Sequence, residues 1–166
     1  MRTIPRAIEA LLRTSGLAAL MLLGVSQPAL AQSPVAQRFV GTWRLVTLEV
    51  DGKPDPRFGL HPIGQIYYDA TGHMAAQIMP DRPRPSWPSN TLPTPEQAKE
   101  AITGYVAYFG RYTIDEQAET VSHHREGSLN LNVIDLVRRY EFSTDGHLIL
   151  VPLDNPSFRL VWERAQ

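Results

Sequence analysis

The sequence predicts an all-β fold: an eight-stranded antiparallel up-and-down barrel with one short helix between the third and fourth strands. Three observations carry this. Short runs rich in β-branched and aromatic residues recur between clusters of Gly, Asp, Asn and Pro, which is how strands and their turns read. The turns are mostly tight, so consecutive strands pair as hairpins, and eight such strands can lose their exposed edges by closing on themselves. Of the 14 prolines, six fall from Pro80 to Pro95, in a single long interruption of the strand pattern. A two-sheet sandwich has the same strand count; the sequential hairpins favour the barrel.

The barrel does not begin at Met1. Arg2, Arg6 and Arg13 precede an apolar run, Gly16 to Val25, which is followed by Pro28 and by Ala29-Leu30-Ala31. This is the order of a secretory signal peptide cut after Ala31. As a helix the apolar run covers about 15 Å, whereas a bilayer core needs about 30 Å, so a membrane anchor is not expected. Residues 1–31 are therefore read as the signal peptide and 32–166 as the barrel domain, periplasmic or secreted. The formal charge of -1 becomes −3 once three arginines and Glu9 are removed. That balance speaks against nucleic acid as a partner. The chain has no cysteine, which excludes disulfides, thiolate zinc sites, iron–sulfur clusters, a cysteine nucleophile and a lipoprotein anchor. No Gly-rich phosphate loop of standard spacing is present, and no cofactor is expected.

The elements follow in order. The first strand spans Phe39 to Val50 and ends in the turn-rich stretch Asp51 to Pro56. The second, Ile63 to Asp69, turns through Asp69-Ala70-Thr71-Gly72 into the third, His73 to Met79. Proline cannot sit in a central strand, so Pro80 to Pro95 is a stiff loop. With Arg82, Arg84 and Trp87 it is either a lid over the barrel mouth or a surface linker. Thr94, Pro95 and Gln97 form an N-cap, a first-position proline and a capping box, which starts a helix over Glu96 to Thr103 that Gly104 ends. Strands resume at Tyr105 to Ile114, Thr120 to Glu126, Leu136 to Ser143, His147 to Leu153 and Phe158 to Arg164.

Gly41-Thr42-Trp43 resembles the G-x-W motif that opens lipocalins. Gly lets the strand bend at the closed end, and Trp plugs it. Lipocalins pack a last-strand arginine over this Trp, a cation–π contact, and Arg159 and Arg164 both flank Trp162 here. Phe39 to Leu45, Pro62 to Tyr67, Gly72 to Met79, Tyr105 to Tyr112, Thr120 to His124, Gly127 to Leu129 and Val161 to Arg164 are similar to the motifs of the bacterial and fungal lipocalin-like domain family. The resemblance covers nearly the whole of 32–166. It implies a calycin-type barrel with a cavity, and Gly41, Trp43, Trp162 and Arg164 as structural motif residues. Departures are Asn130-Leu131-Asn132-Val133-Ile134, where the family reads P-N-W-x-G, and a chain that stops two residues after Arg164, without the usual C-terminal helix. Family membership implies a fold and a cavity, not an activity.

A ligand site in such a barrel is apolar, with a few convergent polar groups. The candidates are Tyr67, Gln77, Tyr105, Tyr108, His123, His124, Arg138 and Tyr140. Adjacent residues on a strand face opposite ways, so one of His123 and His124 faces the cavity and the other faces solvent. They cannot jointly ligate one ion, and no metal site is expected. Arg138 shares a strand face with Tyr140 and Phe142. If that face is inward, the arginine needs either a protein carboxylate or an acidic ligand group. Ser122, His124 and Glu126 share a strand face but stand about 7 Å apart, too far for a hydrolytic relay. The expected function is binding of a small, mostly hydrophobic molecule in the barrel cavity, with or without an acidic or hydroxyl group. The alternatives are a cavity enzyme of isomerase or cyclase type, with His or Tyr moving a proton, and a module that acts through its loops. No catalytic residue is assigned.

Overall fold

The computed structural model describes residues 33–130 and 135–166. The expected signal peptide lies outside the described residues, as do 131–134, where the motif resemblance departs. The described elements are α1 (Pro34–Phe39), β1 (Gly41–Val50), β2 (Lys53–Pro54), β3 (Ile63–Tyr68), β4 (His73–Met79), α2 (Pro95–Ile102), β5 (Val106–Asp115), β6 (Thr120–Ser128), β7 (Leu136–Phe142), β8 (Leu148–Pro152) and β9 (Phe158–Arg164).

From β3 to β9 every strand pairs antiparallel with the next, β3 pairs with β1, and β9 returns to β1. Eight strands thus close an up-and-down barrel. The two-residue β2 is a small addition that folds back onto β1 through Glu49↔Pro54 and Val50↔Lys53. Closure runs from Trp43↔Arg164 to Val50↔Phe158, with a bulge between Leu45 and Thr47. The bulge shifts the alternation by one: Trp43 and Leu45 point inward before it and Leu48 after it, while Val46 is turned out. A second irregularity lies between Phe109 and Gly110 where β5 meets β6. There a Cβ on Gly110 would collide with the His124 carbonyl oxygen.

The capping box at Thr94 is formed as the sequence predicts. The Gln97 amide donates to Thr94 Oγ1 at 3.3 Å, and the Thr94 amide donates to Gln97 Oε1 at 2.9 Å. The helix α1 is a departure, because the strand expected from Phe39 starts only at Gly41. Ser33 caps α1, its hydroxyl accepting from the Ala36 amide at 3.0 Å. Six residues are too few to be stable on helix propensity alone. What holds α1 is tertiary packing of Phe39, which is fully buried in the closed end of the barrel. Its ring meets Tyr68, Tyr140 and Phe142 edge-on at centroid distances of 5.4, 5.1 and 5.0 Å.

Beside Phe39, Trp43 donates its indole N–H to the Phe39 carbonyl at 2.8 Å. Of the two candidate arginines, Arg164 takes the cation–π position, 4.1 Å from the Trp43 ring. It also donates to the carbonyls of Val40 and, at 2.6 Å, Arg38. Arg159 pairs with Glu49 instead, at 3.4 Å. Gly41 sits at φ +124, and a Cβ there would fall 2.5 Å from Arg164 Nη1, so glycine is required for the clasp.

The proline-rich stretch 80–94 carries no strand or helix. It is tied to α2 and to the start of β5: Arg82 pairs with Glu100, and Arg84 donates to the Ala101 carbonyl and lies 4.9 Å over the Tyr105 ring.

Trp43→Ala removes the plug, its hydrogen bond and the seat of Arg164. Large aromatic-to-alanine changes in cores cost about 3–5 kcal/mol, and urea unfolding of this variant is expected to show a loss in that range. A loss below about 1 kcal/mol would mean that the barrel closes without its plug.

Candidate functional site

Strand alternation sorts the predicted site residues. On β6, His123 is fully buried and His124 faces outward. On β7, Arg138 is only 8% exposed, inside the barrel. On β5, Tyr108 is inward, and on β3 it is Tyr68, not Tyr67, that points in.

The four inward groups meet. His123 Nε2 lies 2.8 Å from Tyr68 Oη. Its Nδ1 lies 3.0 Å from both Tyr108 Oη and Arg138 Nη1. A guanidinium can only donate, so Nδ1 accepts, and the neutral ring carries its proton on Nε2 and donates it to Tyr68. Burial, reinforced by the Arg138 charge, pushes His123 well below the usual imidazole range. Burial, with Tyr108 adding to it, pushes the Tyr68 phenol well up. The interior therefore holds a neutral histidine, a neutral Tyr68 and a cationic arginine.

At the loop end of the barrel these groups adjoin a cavity of about 110 Å³. Its walls are largely hydrocarbon, including Leu48, Ile66, Ile78, Leu150 and Leu160, and its polar side chains are Tyr108, Arg138 and Trp162. His123 stands behind Tyr108 and Arg138 and does not line it. The indole N–H of Trp162 is buried without a hydrogen-bond partner among the described residues.

Phe58 and Val106 border this cavity and also a larger hollow of about 610 Å³ at the mouth, which Arg57, Arg82, Ile102 and Tyr105 help to line. Phe58 is seated by Asp55, itself 1% exposed. The Asp55 carbonyl accepts from the Phe58 amide at 2.9 Å, and the Phe58 carbonyl accepts from the Asp81 amide at 2.7 Å. Arg57 grips the Asp55 carboxylate with Nε at 3.1 Å and Nη2 at 2.6 Å, and this hydrogen bonding holds the carboxyl below its usual range.

The structure thus brings Tyr108 and Arg138 into the cavity wall, with His123 directly behind them, and Tyr105 into the mouth. Tyr140 lies at the closed end against Phe39. Tyr67, Gln77 and His124 are on the outer face and touch no part of the interior. The physical reason is parity: a strand read from sequence has two equivalent faces until its register is fixed. Phe58, Leu48 and Leu160 were not singled out from the sequence, and Trp162 was named only as a motif residue. Alternation on β1 and β9 would have suggested Leu48 and Leu160. Phe58 sits in a loop and follows no period.

On the outside, His124 bonds across strands, not along its own. Thr113 Oγ1 is 2.9 Å from Nε2, and Asp135 Oδ2 is 2.6 Å from Nδ1. Cross-strand neighbours stand closer than residues two apart on one strand, which is why Ser122 and Glu126 are not its partners here. Among the described residues no three of His, Asp and Glu converge to hold a metal ion, and no helix is long and apolar enough to cross a membrane.

A family model described as a lipocalin-like domain matches residues 40–165. No protein of curated function matches the chain.

The buried neutral His123 makes stability depend on pH. Unfolded, it titrates near 6.5; folded, it stays neutral well below that. Its contribution is complete above the unfolded value. As pH falls below about 6.5 only the unfolded chain takes up the proton, and stability drops by up to about 1.4 kcal/mol per pH unit. Urea denaturation at about pH 7.5 and about pH 5 is expected to show this loss in the parent and a smaller one in His123→Gln. Equal pH slopes in the two proteins would remove His123 from the account.

Proposed function

The chain belongs to the lipocalin-like domain family, and from that premise we propose that it is an exported carrier that holds a small, mostly apolar molecule inside its barrel. The observation that carries the reading is the cavity: about 110 Å³, walled by aliphatic side chains, with a few polar groups on its wall. That composition suits a small ligand; the volume is below the range of about 300–1,000 Å³ of ordinary ligand pockets, so this cavity alone takes a very small molecule or part of a larger one. The mouth hollow beyond Phe58 and Val106 offers further room toward solvent.

Export rests on the N-terminal pattern: Arg2, Arg6 and Arg13, the apolar run Gly16 to Val25, and Ala29-Leu30-Ala31. Cleavage after Ala31 would leave the barrel in the periplasm or outside the cell, free of the apolar N-terminal run.

One observation favours the enzyme reading. Tyr108 lines the cavity and its hydroxyl lies 3.0 Å from His123 Nδ1, so among the lining side chains it is the one that could exchange a proton with a ligand. His123 stands behind Tyr108 and Arg138 and does not line the cavity itself, and His124 is on the outer face. Turnover abolished by Tyr108→Phe, with binding retained, would establish that reading over the carrier.

Two measurements test the proposal. Intact mass of the protein recovered from its exported compartment is expected to begin at Gln32; a full-length mass would overturn export. Native mass spectrometry of the same material is expected to show a co-purifying small molecule. Ala76→Met pushes a longer side chain into the cavity at a cost of about 1–3 kcal/mol, and is expected to abolish the bound mass while the barrel stays folded. A parent protein that carries no bound mass and takes up no apolar probe would sink the carrier reading.

A further inference from the structure

We infer that the cavity ligand is an aliphatic carboxylate whose headgroup pairs with Arg138; the inference rests on the carrier reading above and names its ligand class. Three polar side chains line the cavity, and Arg138 among them can only donate. Arg138 uses Nη1 on His123, and no other hydrogen bond from its guanidinium exists among the described residues. No carboxylate lies within ion-pair distance of it there, whereas Arg44, Arg57, Arg82, Arg111 and Arg159 each have one. Trp162 lines the cavity with its ring; its indole N–H is itself buried, without an acceptor among the described residues. The second donor is Tyr108. Its hydroxyl and Arg138 Nη1 both point at the one lone pair of His123 Nδ1, so the hydroxyl can turn to a ligand while Nδ1 keeps its bond to Arg138.

A buried cation without a counter-charge is unfavourable in hydrocarbon. The group that completes such a site only accepts and carries a single negative charge. An ionised carboxylate does both: it has two oxygens, no proton, and the spacing that a guanidinium grips with two parallel N–H bonds. A phosphate dianion would leave a net negative charge among Leu48, Ile66 and Leu160. The remaining wall is suited to methylene groups. A volume of about 110 Å³ corresponds to about four waters at ~30 Å³ each. That accommodates a headgroup and the first few carbons; a longer tail leaves past Phe58 and Val106 into the mouth hollow.

The test is calorimetric titration of the purified protein with octanoate, its uncharged isostere octanamide, and octyl phosphate, together with the indole N–H resonance of Trp162. Octanoate is expected to bind at least about tenfold more tightly than octanamide and to shift the resonance of Trp162, whose ring lines the cavity. In Arg138→Met the octanoate advantage is expected to vanish while octanamide affinity stays within about twofold. If Arg138→Met does not fold, Tyr108→Phe and the parent's own octanoate-to-octanamide ratio decide the matter. Octanamide binding as tightly as octanoate, or octyl phosphate binding more tightly, overturns the carboxylate and leaves the carrier standing. Binding of neither octanoate nor octanamide overturns the carboxylate, and the carrier falls with it only if the protein also carries no bound mass and takes up no other apolar probe.

Discussion

The contact on which this barrel depends is Arg164 laid 4.1 Å over the Trp43 ring. Three elements meet there. Trp43 opens β1, Arg164 ends β9, and the carbonyls that Arg164 and Trp43 engage belong to α1 and the residue after it. A closed sheet needs its last strand to find its first, and that pairing has the largest sequence separation in the molecule. A cation–π contact and charge-assisted hydrogen bonds at the closing seam, next to a fully buried Phe39, fix the register of closure at the end where β9 finishes. With no cysteine in the chain, no disulfide can share that task. The inward or outward sense of the neighbouring strands follows from this register.

From the plug upward the interior changes character. The closed end is aromatic: Phe39, Trp43, Tyr68, Tyr112, Tyr140 and Phe142 pack edge-on or tilted. The middle is polar and hydrogen-bonded through His123. The loop end is aliphatic around Arg138. The middle layer separates the plug from the cavity and sets the protonation of the whole group. Arg138, unable to accept, holds His123 as an acceptor at Nδ1, and this orients the ring toward Tyr68. Membership of the lipocalin-like family accounts for the barrel, but the buried Arg138 of the upper layer belongs to this particular chain.

Much of this was legible in the sequence because it is local. The helix at Pro95 was readable from Thr94 and Gln97, two side chains that satisfy each other's backbone within one turn. Strand spacing was readable from the turn residues, and the closed end from Gly41 and Trp43. Parity was not. Tyr67 and Tyr68, or His123 and His124, are interchangeable until register chooses between them, and the bulge after Leu45 reverses the sense again along β1. Nor was α1, since Ser33 and Pro34 are a weak start signal and the helix holds by burying Phe39, a long-range contact. Phe58 belongs to neither class: it lies in a loop, and buried Asp55 places it at the mouth.

The sequence by itself determined the fold class, the order of its strands, the one helix with a complete cap, the family and the absence of cysteine chemistry. Those depend on short-range patterns: period two along strands, glycine and proline at turns, a capping box within four residues. Tertiary structure alone decided that Arg164 and not Arg159 covers Trp43, that His123 is the inner histidine, and that Arg138 is buried against His123 with no carboxylate in ion-pair distance among the described residues. These are statements about which of two faces a residue presents and what stands opposite it across the barrel. Neither exists until closure brings β9 back to β1.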